Sequence, residues 1–225
     1  MKIEINGTIY NLTFRLEPII NRCFDVYGYE LLTGVYNEYK NNYINPSYFF
    51  NTLNLEACLE ILNVQIGKVN SLKSKNTTKI VSVNLNEKML RLVVSHPELI
   101  SSVYMLRDIL RVEISEEIDL GKNLESLTKL RKLVPLWLDD FGCGDITNQK
   151  EHMHLFEIVK IDRQFLKNIL AFKSGKYLID EIIWGLHMKK IDVICEGVEN
   201  ITAMETYFKH NFEGYQGWLW ESKNI

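Results

Sequence analysis

The sequence predicts an α/β protein in which parallel strands close into a barrel and helices cover the outside. Strand-like apolar runs alternate with helix-like segments between about residues 79 and 210, and such repeated units favour a parallel sheet. The predicted strands are almost continuously apolar, which suits a closed barrel better than a sheet with one wet face. Several apolar runs end in an acidic or amide residue, and a parallel barrel gathers its strand ends at one mouth.

The composition is that of an ordinary globular protein and argues against several functional classes. The 225 residues are 46% hydrophobic and 24% charged, with a formal net charge of -3, so we expect no binding surface for duplex nucleic acid. No segment approaches the roughly 20 apolar residues of a membrane span. No Pro-, Gly- or Ser-rich linker divides the chain, which predicts one domain over residues 1–225. The cysteines lack zinc-type spacing, which favours free thiols and a cytoplasmic protein: Cys23, Cys58, Cys143 and Cys195.

The first elements are predicted to be extended. Residues 2–16 have the alternation of a β-hairpin, and a second extended segment covers residues 27–32. Asn45 and Pro46 then supply an N-cap and a first-turn proline for one long helix. The apolar residues of this helix recur at helical spacing over residues 49–66.

Strands and helices are then predicted to alternate to the end of the chain. The predicted strands and the helices that follow them are 79–85 with 87–95, 110–114 with 122–132, 134–139 with a short helix near 151, 156–161 with 163–171 and 174–188, and 191–195 with 200–210. A last apolar segment covers residues 214–219. Three tryptophans are expected in the core because large aromatic side chains are usually buried: Trp184, Trp218 and Trp220.

Oxygen-bearing side chains follow the predicted strands. The most informative are Asp139 and Asp140, two adjacent carboxylates that end an apolar run shortly before Gly142. Residues of the same kind end other apolar runs, namely Asn84, Glu113, Asp162 and Glu196. Hard oxygen ligands select Mg²⁺ or Mn²⁺ over zinc or copper. Because several such groups at one mouth would crowd like charges unless cations lie between them, the pattern predicts a metal site.

Each of these residues also has a purely structural interpretation. Asp139 and Asp140 alone are typical of a strand-end turn or a helix cap, because aspartate favours both. Lys160 alone would be a solvated charge, and Glu30 and Glu113 could be paired structural acids. The convergence of the set favours the metal site over these readings. The histidines show no metal spacing and are expected at the surface or in packing contacts: His96, His152, His154, His187 and His210.

Seven short motifs occur in a fixed order between about Phe14 and Leu219. They are Glu30-Leu31-Leu32, Val83-Asn84-Leu85-Asn86, Glu113-Ile114-Ser115-Glu116, Asp139-Asp140-Phe141-Gly142-Cys143-Gly144, Lys160-Ile161-Asp162, Glu196-Gly197-Val198-Glu199 and Gln216-Gly217-Trp218. This set resembles the motifs of the EAL domains, bacterial phosphodiesterases that linearise cyclic di-GMP. The resemblance implies a TIM-like (β/α)8 barrel whose first strand runs antiparallel. It also implies hydrolysis of cyclic di-GMP to linear di-GMP.

The resemblance further implies a site with two ions of Mg²⁺ or Mn²⁺, bridged by Asp139 and about 3.5–4 Å apart. The implied metal ligands are Glu30, Asn84, Glu113, Asp139, Asp140 and Asp162. The implied catalytic residues are Lys160, Glu196, Glu116 and Gln216, and the implied substrate contacts are Glu17, Leu32 and Glu199. Lys160 would neutralise charge or orient the attacking water, which Glu196 would bind or polarise. Gln216 would hydrogen-bond the water shell of the second ion, and Glu116 would anchor the loop after Asp140.

Four departures from the family pattern bear on turnover. Gly34 stands where the family has an arginine near a ligand phosphate, and Glu17 replaces a glutamine that lies near a guanine. The loop over residues 143–147 differs from the family's Thr-Gly-Tyr-Ser-Ser, which supports dimerisation. The chain ends at Ile225, where a closing helix would normally follow, so we expect looser barrel closure or an edge covered by a partner.

Two functions therefore remain open at this point. The first is metal-dependent hydrolysis of cyclic di-GMP. The alternative is an EAL-like module that has little or no activity and acts as a nucleotide receptor or binds a regulatory protein. The partners that the resemblance implies are cyclic di-GMP, a second copy of the chain joined through the barrel, and a regulatory protein.

Overall fold

The computed structural model describes residues 1–5, 7–75, 79–143 and 151–225. Its strands are β1 (Lys2–Ile5), β2 (Thr8–Asn21), β3 (Val26–Asn37), β4 (Asn42–Ile44), β5 (Ile80–Leu85), β6 (Leu110–Ser115), β7 (Leu136–Phe141), β8 (Phe156–Ile161), β9 (Asp192–Cys195), β10 (Gly214–Gln216) and β11 (Lys223–Asn224). Its helices are α1 (Pro46–Thr52), α2 (Leu55–Ser74), α3 (Glu87–Ser95), α4 (Pro97–Met105), α5 (Leu124–Arg131), α6 (Arg163–Leu170), α7 (Gly175–His187) and α8 (Ile201–Tyr207), with a 3₁₀ turn at Met153–Leu155.

Eight of these strands form a closed barrel. The ring runs β2, β3, β5, β6, β7, β8, β9 and β10, and β10 pairs with both β9 and β2 to close it. The first strand of the ring, β2, is antiparallel to its neighbours β3 and β10, whereas the other neighbouring pairs in the ring are parallel. The predicted TIM-like barrel with an antiparallel first strand is therefore confirmed. β1, β4 and β11 add to β2 and β3 outside the ring.

Apolar side chains fill the barrel interior beneath the predicted site residues. They lie two residues from the predicted site residues on the same strands and form one cluster: Ile19, Trp137, Ile158 and Ile194. Because side chains alternate along a strand, residues two apart face the same side of the sheet. The predicted site residues on these strands therefore face the interior, above an apolar floor.

The long helix predicted from Asn45 is wrong, because the chain breaks into two helices. α1 ends at Thr52, Leu53 is extended with ψ of 145°, and Asn54 starts α2. The Asn54 side chain accepts a hydrogen bond of 2.9 Å from the Ala57 backbone N–H, which satisfies one of the donors that a helix start leaves open. The apolar spacing continues through the break, so periodicity alone did not reveal it.

Two of the three tryptophans predicted to be buried are on the surface. Trp184 is 61% exposed and Trp218 is 75% exposed, whereas Trp220 is partly buried. In α7 the inner face is already supplied by Ile179 and Ile183, which are buried, so Trp184 lies on the outer side of the helix. For Trp184 the position on the helix outweighed the general preference of tryptophan for the interior, and Trp218 lies in the turn after β10.

Two further expectations from composition can be compared with the structure. The four cysteines are free, and Cys58 and Cys195 are buried. Within the described residues, no helix is both long enough and apolar enough to cross a membrane.

Candidate active site

The predicted site residues converge at the carboxyl ends of the parallel strands. Glu30 lies on β3, Asn84 on β5, Glu113 on β6, Asp139 on β7 and Lys160 on β8. Neighbouring strands hold them in register, since Asn84 pairs with Glu113. Side chains from so many strands can meet only because the barrel is closed and all of them face its axis.

Lys160 is the centre of this cluster, and its side chain is only 1% exposed. Its Nζ lies 3.1 Å from Glu30 Oε2 and 2.9 Å from Glu113 Oε2. It also lies 2.9 Å from Asp139 Oδ1 and 2.8 Å from Glu196 Oε1. One ammonium thus faces four carboxylates. A single positive charge cannot balance four ionised carboxylates, so the cluster attracts protons or further cations.

Two amide side chains fix Glu30 in place. Asn84 Nδ2 donates to Glu30 Oε1 at 2.5 Å, and Gln216 Nε2 donates to Glu30 Oε2 at 2.5 Å. Gln216 Nε2 also donates to Glu17 Oε1 at 3.0 Å, so the amide joins β2 and β3 across the barrel mouth. Glu30 therefore has its orientation set by neutral donors as well as by Lys160.

Burial and neighbouring charges shift the pKa values of these groups in different directions. Burial raises the pKa of Glu113 well above its usual range, and the charge on Glu30 adds to the increase. Burial likewise raises the pKa of Glu196, and Lys160 offsets only part of the effect. Burial would also raise the pKa of Glu30, but the charge of Lys160 and the two amide hydrogen bonds outweigh it, so this pKa is lowered. Burial would lower the pKa of Lys160, but the carboxylates raise it well above its usual range.

Asp139 and Asp140 both reach the mouth because the strand alternation breaks between them. Adjacent residues of a regular strand point to opposite faces. Asp140, however, has a φ of +58°, in the left-handed region that non-glycine residues rarely adopt, and the register between β7 and β8 shifts at this point. Burial first, and then the charge of Asp139, raise the pKa of Asp140 to about 7. Backbone strain of this kind is concentrated at functional sites.

The turn after Asp140 is held by Glu116. The Gly142 backbone N–H donates to Glu116 Oε2 at 3.0 Å. Gly142 has a φ of +108°, and a Cβ at this position would lie 2.2 Å from the Phe165 ring. Only glycine fits this turn, so the end of β7 is closely defined by its surroundings.

Two groups of three carboxylates can hold metal ions. One is Glu30, Glu113 and Asp139, and the other is Asp139, Asp140 and Glu196; within each group the ligand oxygens lie within 4.8 Å of one another. Asp139 belongs to both groups, which is the geometry expected of a bridging ligand. No further group of this kind occurs among the described residues. All donors are carboxylate oxygens, which suit hard divalent cations such as Mg²⁺ or Mn²⁺.

Two predicted assignments look different in the structure. Asp162, predicted as a metal ligand, belongs to neither group, and its Oδ1 caps α6 by accepting from the Phe165 N–H at 2.8 Å. Glu196, predicted to act on the water, lies within the second group. The assignment of Asp162 stays a prediction, and Glu196 becomes a further candidate ligand.

Two openings flank the cluster. The larger is a cleft of about 600 Å³, lined by Glu30, Leu32, Asn84, Asp139 and Asp140 among others. The smaller, of about 200 Å³, is lined by Glu17, Arg163, Glu196, Glu199, Gln216 and Trp218. The three predicted substrate contacts are thus divided, with one in the larger cleft and two in the smaller pocket. The carboxylate of Glu199 already pairs with Arg163 and lies 3.5 Å from Lys167 Nζ.

One sequence-family model matches almost the whole length of this chain. The family model described as "EAL domain" matches residues 6–223. The chain belongs to the EAL domain family. The seven motifs that suggested this family lie in the matched region, so the predicted resemblance is confirmed.

Individual relatives and structures are similar to this EAL domain at low identity. Cyclic di-GMP phosphodiesterase PdeH of Escherichia coli (strain K12) is 25% identical over 207 residues, which cover 90% of this chain and 80% of PdeH. Anti-FlhC(2)FlhD(4) factor YdiV of Salmonella paratyphi B is 26% identical over 102 residues, which cover 45% of this chain and 43% of YdiV.

Solved structures show the same fold. The EAL-like domain protein YdiV superposes with a TM-score of 0.82 at 19% identity, covering 96% of this chain and 93% of that one. The EAL domain of FimX from Pseudomonas aeruginosa, bound to c-di-GMP, superposes with a TM-score of 0.75 at 19% identity, covering 94% and 90%. At these identities the likeness establishes the barrel fold alone.

Two of the four departures of this EAL domain from the family pattern concern the larger cleft and the loop after β7. Gly34 borders the larger cleft, on β3. In the altered loop, residues 144–147 lie outside the described residues, so the homodimer that the loop would support stays a prediction. Arg15 also lines the cleft and was missed in the sequence. Strand alternation was the available signal, because Arg15 precedes Glu17 by two residues.

Proposed function

We propose that this EAL domain hydrolyses cyclic di-GMP to linear di-GMP with the help of divalent metal ions. The observation that carries the proposal is the pair of carboxylate groups that share Asp139 at an open barrel mouth. The similarity to PdeH, a protein named as a cyclic di-GMP phosphodiesterase, over 90% of this chain supports the choice of substrate.

The donor set fits Mg²⁺ or Mn²⁺, because its members are carboxylate and amide side chains without a sulfur or histidine ligand. Glu30, Glu113 and Asp139 would hold one ion, and Asp139, Asp140 and Glu196 the other. Asn84 and Asp162 are proposed to complete the coordination. Once bound, such ions neutralise phosphoryl oxygens and lower the pKa of an attacking water.

Lys160 is proposed to orient the reacting groups rather than to accept a proton. Its raised pKa keeps the ammonium charged at neutral pH, so it can donate hydrogen bonds to a phosphoryl oxygen or to the water. Glu196 suits the opposite role, because its carboxylate belongs to the second group and also lines the smaller pocket, where a water can reach it. We propose Glu196 as the group that accepts the proton of the water.

The openings on either side of the cluster suit a ligand with two similar halves. The phosphate to be cleaved would lie above Asp139, with one nucleotide in the larger cleft next to Leu32 and the other in the pocket next to Glu17 and Glu199. The Glu17 carboxylate can accept hydrogen bonds from the N1 and N2 donors of guanine, as the glutamine of other family members would through its oxygen.

Metal-dependent product release tests the proposal. Purified protein is incubated with cyclic di-GMP and Mg²⁺, Mn²⁺ or EDTA, and the nucleotides are separated by chromatography. We expect linear di-GMP with either metal, none with EDTA, and none from Glu30→Ala. The matched control is Glu125→Ala, since Glu125 forms an exposed ion pair with Lys129 on α5. Absence of the linear product from the wild type at saturating Mn²⁺ would overturn the proposal.

A second candidate function is regulation by contact with another protein. Two observations favour it, namely the loss of the family arginine at Gly34 and the superposition with YdiV, which is named as an anti-FlhC(2)FlhD(4) factor. A module of this kind would bind the nucleotide or a protein target without releasing product. Measurable hydrolysis together with no specific protein captured by the purified domain would exclude it. The complete set of carboxylates is the reason to rank it second, because a contact module has no need for them.

A further inference from the structure

Arg15 is the unusual residue of the larger cleft. Among the described residues that line this cleft it is the sole lysine or arginine, while Glu30, Glu117, Asp139 and Asp140 contribute negative charge. Its side chain is exposed, and within the described parts of the chain it forms no ion pair and no side-chain hydrogen bond. An unpaired cation in an otherwise acidic cleft is expected to bind an anionic ligand.

We propose that Arg15 binds a phosphate group of the dinucleotide and positions it above the carboxylate cluster. This inference rests on the proposed function for its ligand. It assigns to Arg15 a role in holding the substrate, whereas the metal-binding carboxylates and Lys160 act at the reacting phosphorus.

The strand register places Arg15 beside the cluster. On β2 the residues Thr13, Arg15 and Glu17 share one face, and their partners on β3 are Gly34, Leu32 and Glu30. Glu17 and Glu30 already belong to the hydrogen-bonded network at the barrel mouth. Arg15 lies one step further out, about 7 Å along the strand, which is within the reach of an arginine side chain.

The backbone around Arg15 is fixed on both sides. β2 pairs with β3 on one edge, where Arg15 faces Leu32, and with β11 on the other, where Arg15 faces Asn224. A binding group on a paired strand loses little freedom when it meets its ligand, because its backbone is already ordered. On β3, Gly34 faces Thr13, two residues from Arg15, and contributes no side chain to the cleft.

The chemistry of arginine suits the assignment. Its guanidinium is always charged and presents a planar fork of donors that matches two phosphate oxygens. A dianionic ligand entering a cleft with several carboxylates meets repulsion, which a cation at the rim offsets before the ligand reaches the metal ligands. A lysine would supply the charge without the fork, which gives the experiment a graded variant.

The test is the affinity for cyclic di-GMP, measured by isothermal titration calorimetry in Ca²⁺, which binds oxygen ligands like those proposed here. The proteins compared are wild type, Arg15→Ala, Arg15→Lys and the matched control Arg131→Ala, which removes an exposed arginine of α5 outside the cleft. Chromatography after each titration verifies that the ligand is intact, and thermal unfolding verifies that each variant is folded.

We expect Arg15→Ala to weaken binding about 10- to 100-fold, the usual effect of losing a hydrogen bond to a charged group. Arg15→Lys should lie between Arg15→Ala and the wild type, and Arg131→Ala should equal the wild type. In hydrolysis with Mn²⁺, the same loss should raise KM far more than it lowers kcat. The wild-type affinity should also fall more steeply with added salt than that of Arg15→Ala.

Two outcomes would overturn the inference, and they are distinguishable. If the wild type binds and hydrolyses cyclic di-GMP while Arg15→Ala binds equally well, the role of Arg15 is wrong and the proposed function stands. If the wild type neither binds nor hydrolyses the nucleotide, the proposed function fails and the assignment of Arg15 fails with it.

Discussion

The Lys160 side chain is expected to stabilise the folded state. Its ammonium is buried among four carboxylates, and removing one partner of a buried ionic cluster leaves uncompensated charge. In EDTA we expect Lys160→Met to lower the free energy of unfolding by about 3–5 kcal/mol. Mn²⁺ should restore part of this loss, because the ion supplies the missing positive charge. Chemical denaturation in EDTA and in Mn²⁺ measures both effects.

The matched control is Lys129→Met on α5. Lys129 pairs with Glu125 at 2.7 Å, but both side chains are more than half exposed, so the change should cost less than about 1 kcal/mol. Equal stability of Lys160→Met and the wild type in EDTA would contradict the account of the cluster.

The ionisation of Asp140 should make stability and metal binding depend on pH. Its pKa rises from 3.8 to about 7 in the folded protein. Without metal, the folded state therefore binds more protons than the unfolded state between about pH 4 and 7, so the contribution of Asp140 to stability falls as the pH rises through this window. Metal binding needs the ionised carboxylate, so it must release a proton below about pH 7.

Calorimetric titration with Mn²⁺ at pH 6 and pH 8 measures this linkage. We expect roughly tenfold weaker binding at pH 6, with proton uptake by the buffer. One unit below the pKa only about a tenth of Asp140 is ionised, so nearly every ion that binds displaces one proton. Asp140→Asn should bind Mn²⁺ more weakly and with less dependence on pH. An affinity for Mn²⁺ that is the same at both pH values, without proton release, would be incompatible with this role of Asp140.

The sequence identified most of the residues that meet at the barrel mouth, because the ends of parallel strands must converge. It could not show how their side chains pair. That Lys160 contacts four carboxylates depends on distances across the closed barrel, and that Asp139 and Asp140 share one face depends on the positive φ of Asp140. Arg15 escaped notice because its place in the larger cleft depends on the pairing of β2 with β3, which the sequence does not show.

Among the structural elements, the turn that ends β7 should affect both hydrolysis and the affinity for Mn²⁺. Glu116 at the end of β6 accepts the Gly142 N–H and so holds the segment that presents Asp139 and Asp140. We expect Glu116→Ala to lower hydrolysis and Mn²⁺ affinity about 10- to 100-fold, the usual effect of removing a residue that supports metal ligands. The measurements are kcat/KM for cyclic di-GMP and calorimetric titration with Mn²⁺.

Glu125→Ala, an exposed acid on α5, serves as the control and should leave both quantities unchanged. If Glu116→Ala behaved in the same way, the anchoring role of Glu116 would be wrong.

Some predicted elements match the structure closely, whereas others were missed or changed. The predicted segments 87–95 and 156–161 coincide with α3 and β8, because an Asn N-cap marks the first and a mainly apolar run marks the second. α4 was missed, although Pro97 at its first turn and Glu98 after it are typical of a helix start. The short helix predicted near residue 151 is a single 3₁₀ turn at Met153–Leu155.

For the whole molecule, the closed ring of strands predicts that the chain unfolds as a single domain. β2 near the start of the chain pairs with β10 near its end, so removing either strand opens the barrel. We expect residues 1–225 to unfold in one cooperative transition, with equal calorimetric and van't Hoff enthalpies. Differential scanning calorimetry in EDTA measures both. Two resolved transitions would show that the chain contains separate folding units.

Asp139 belongs to both carboxylate groups at the barrel mouth, where we propose that bound metal drives hydrolysis of cyclic di-GMP. The most direct measurement is the rate of linear di-GMP release at saturating Mn²⁺ by the wild type and by Asp139→Asn, which is nearly equal in shape. We expect a rate for Asp139→Asn lower by on the order of 1,000-fold, since metal-bound catalysis supplies several kcal/mol. Equal rates, or no product from the wild type, would show that hydrolysis does not depend on these carboxylates.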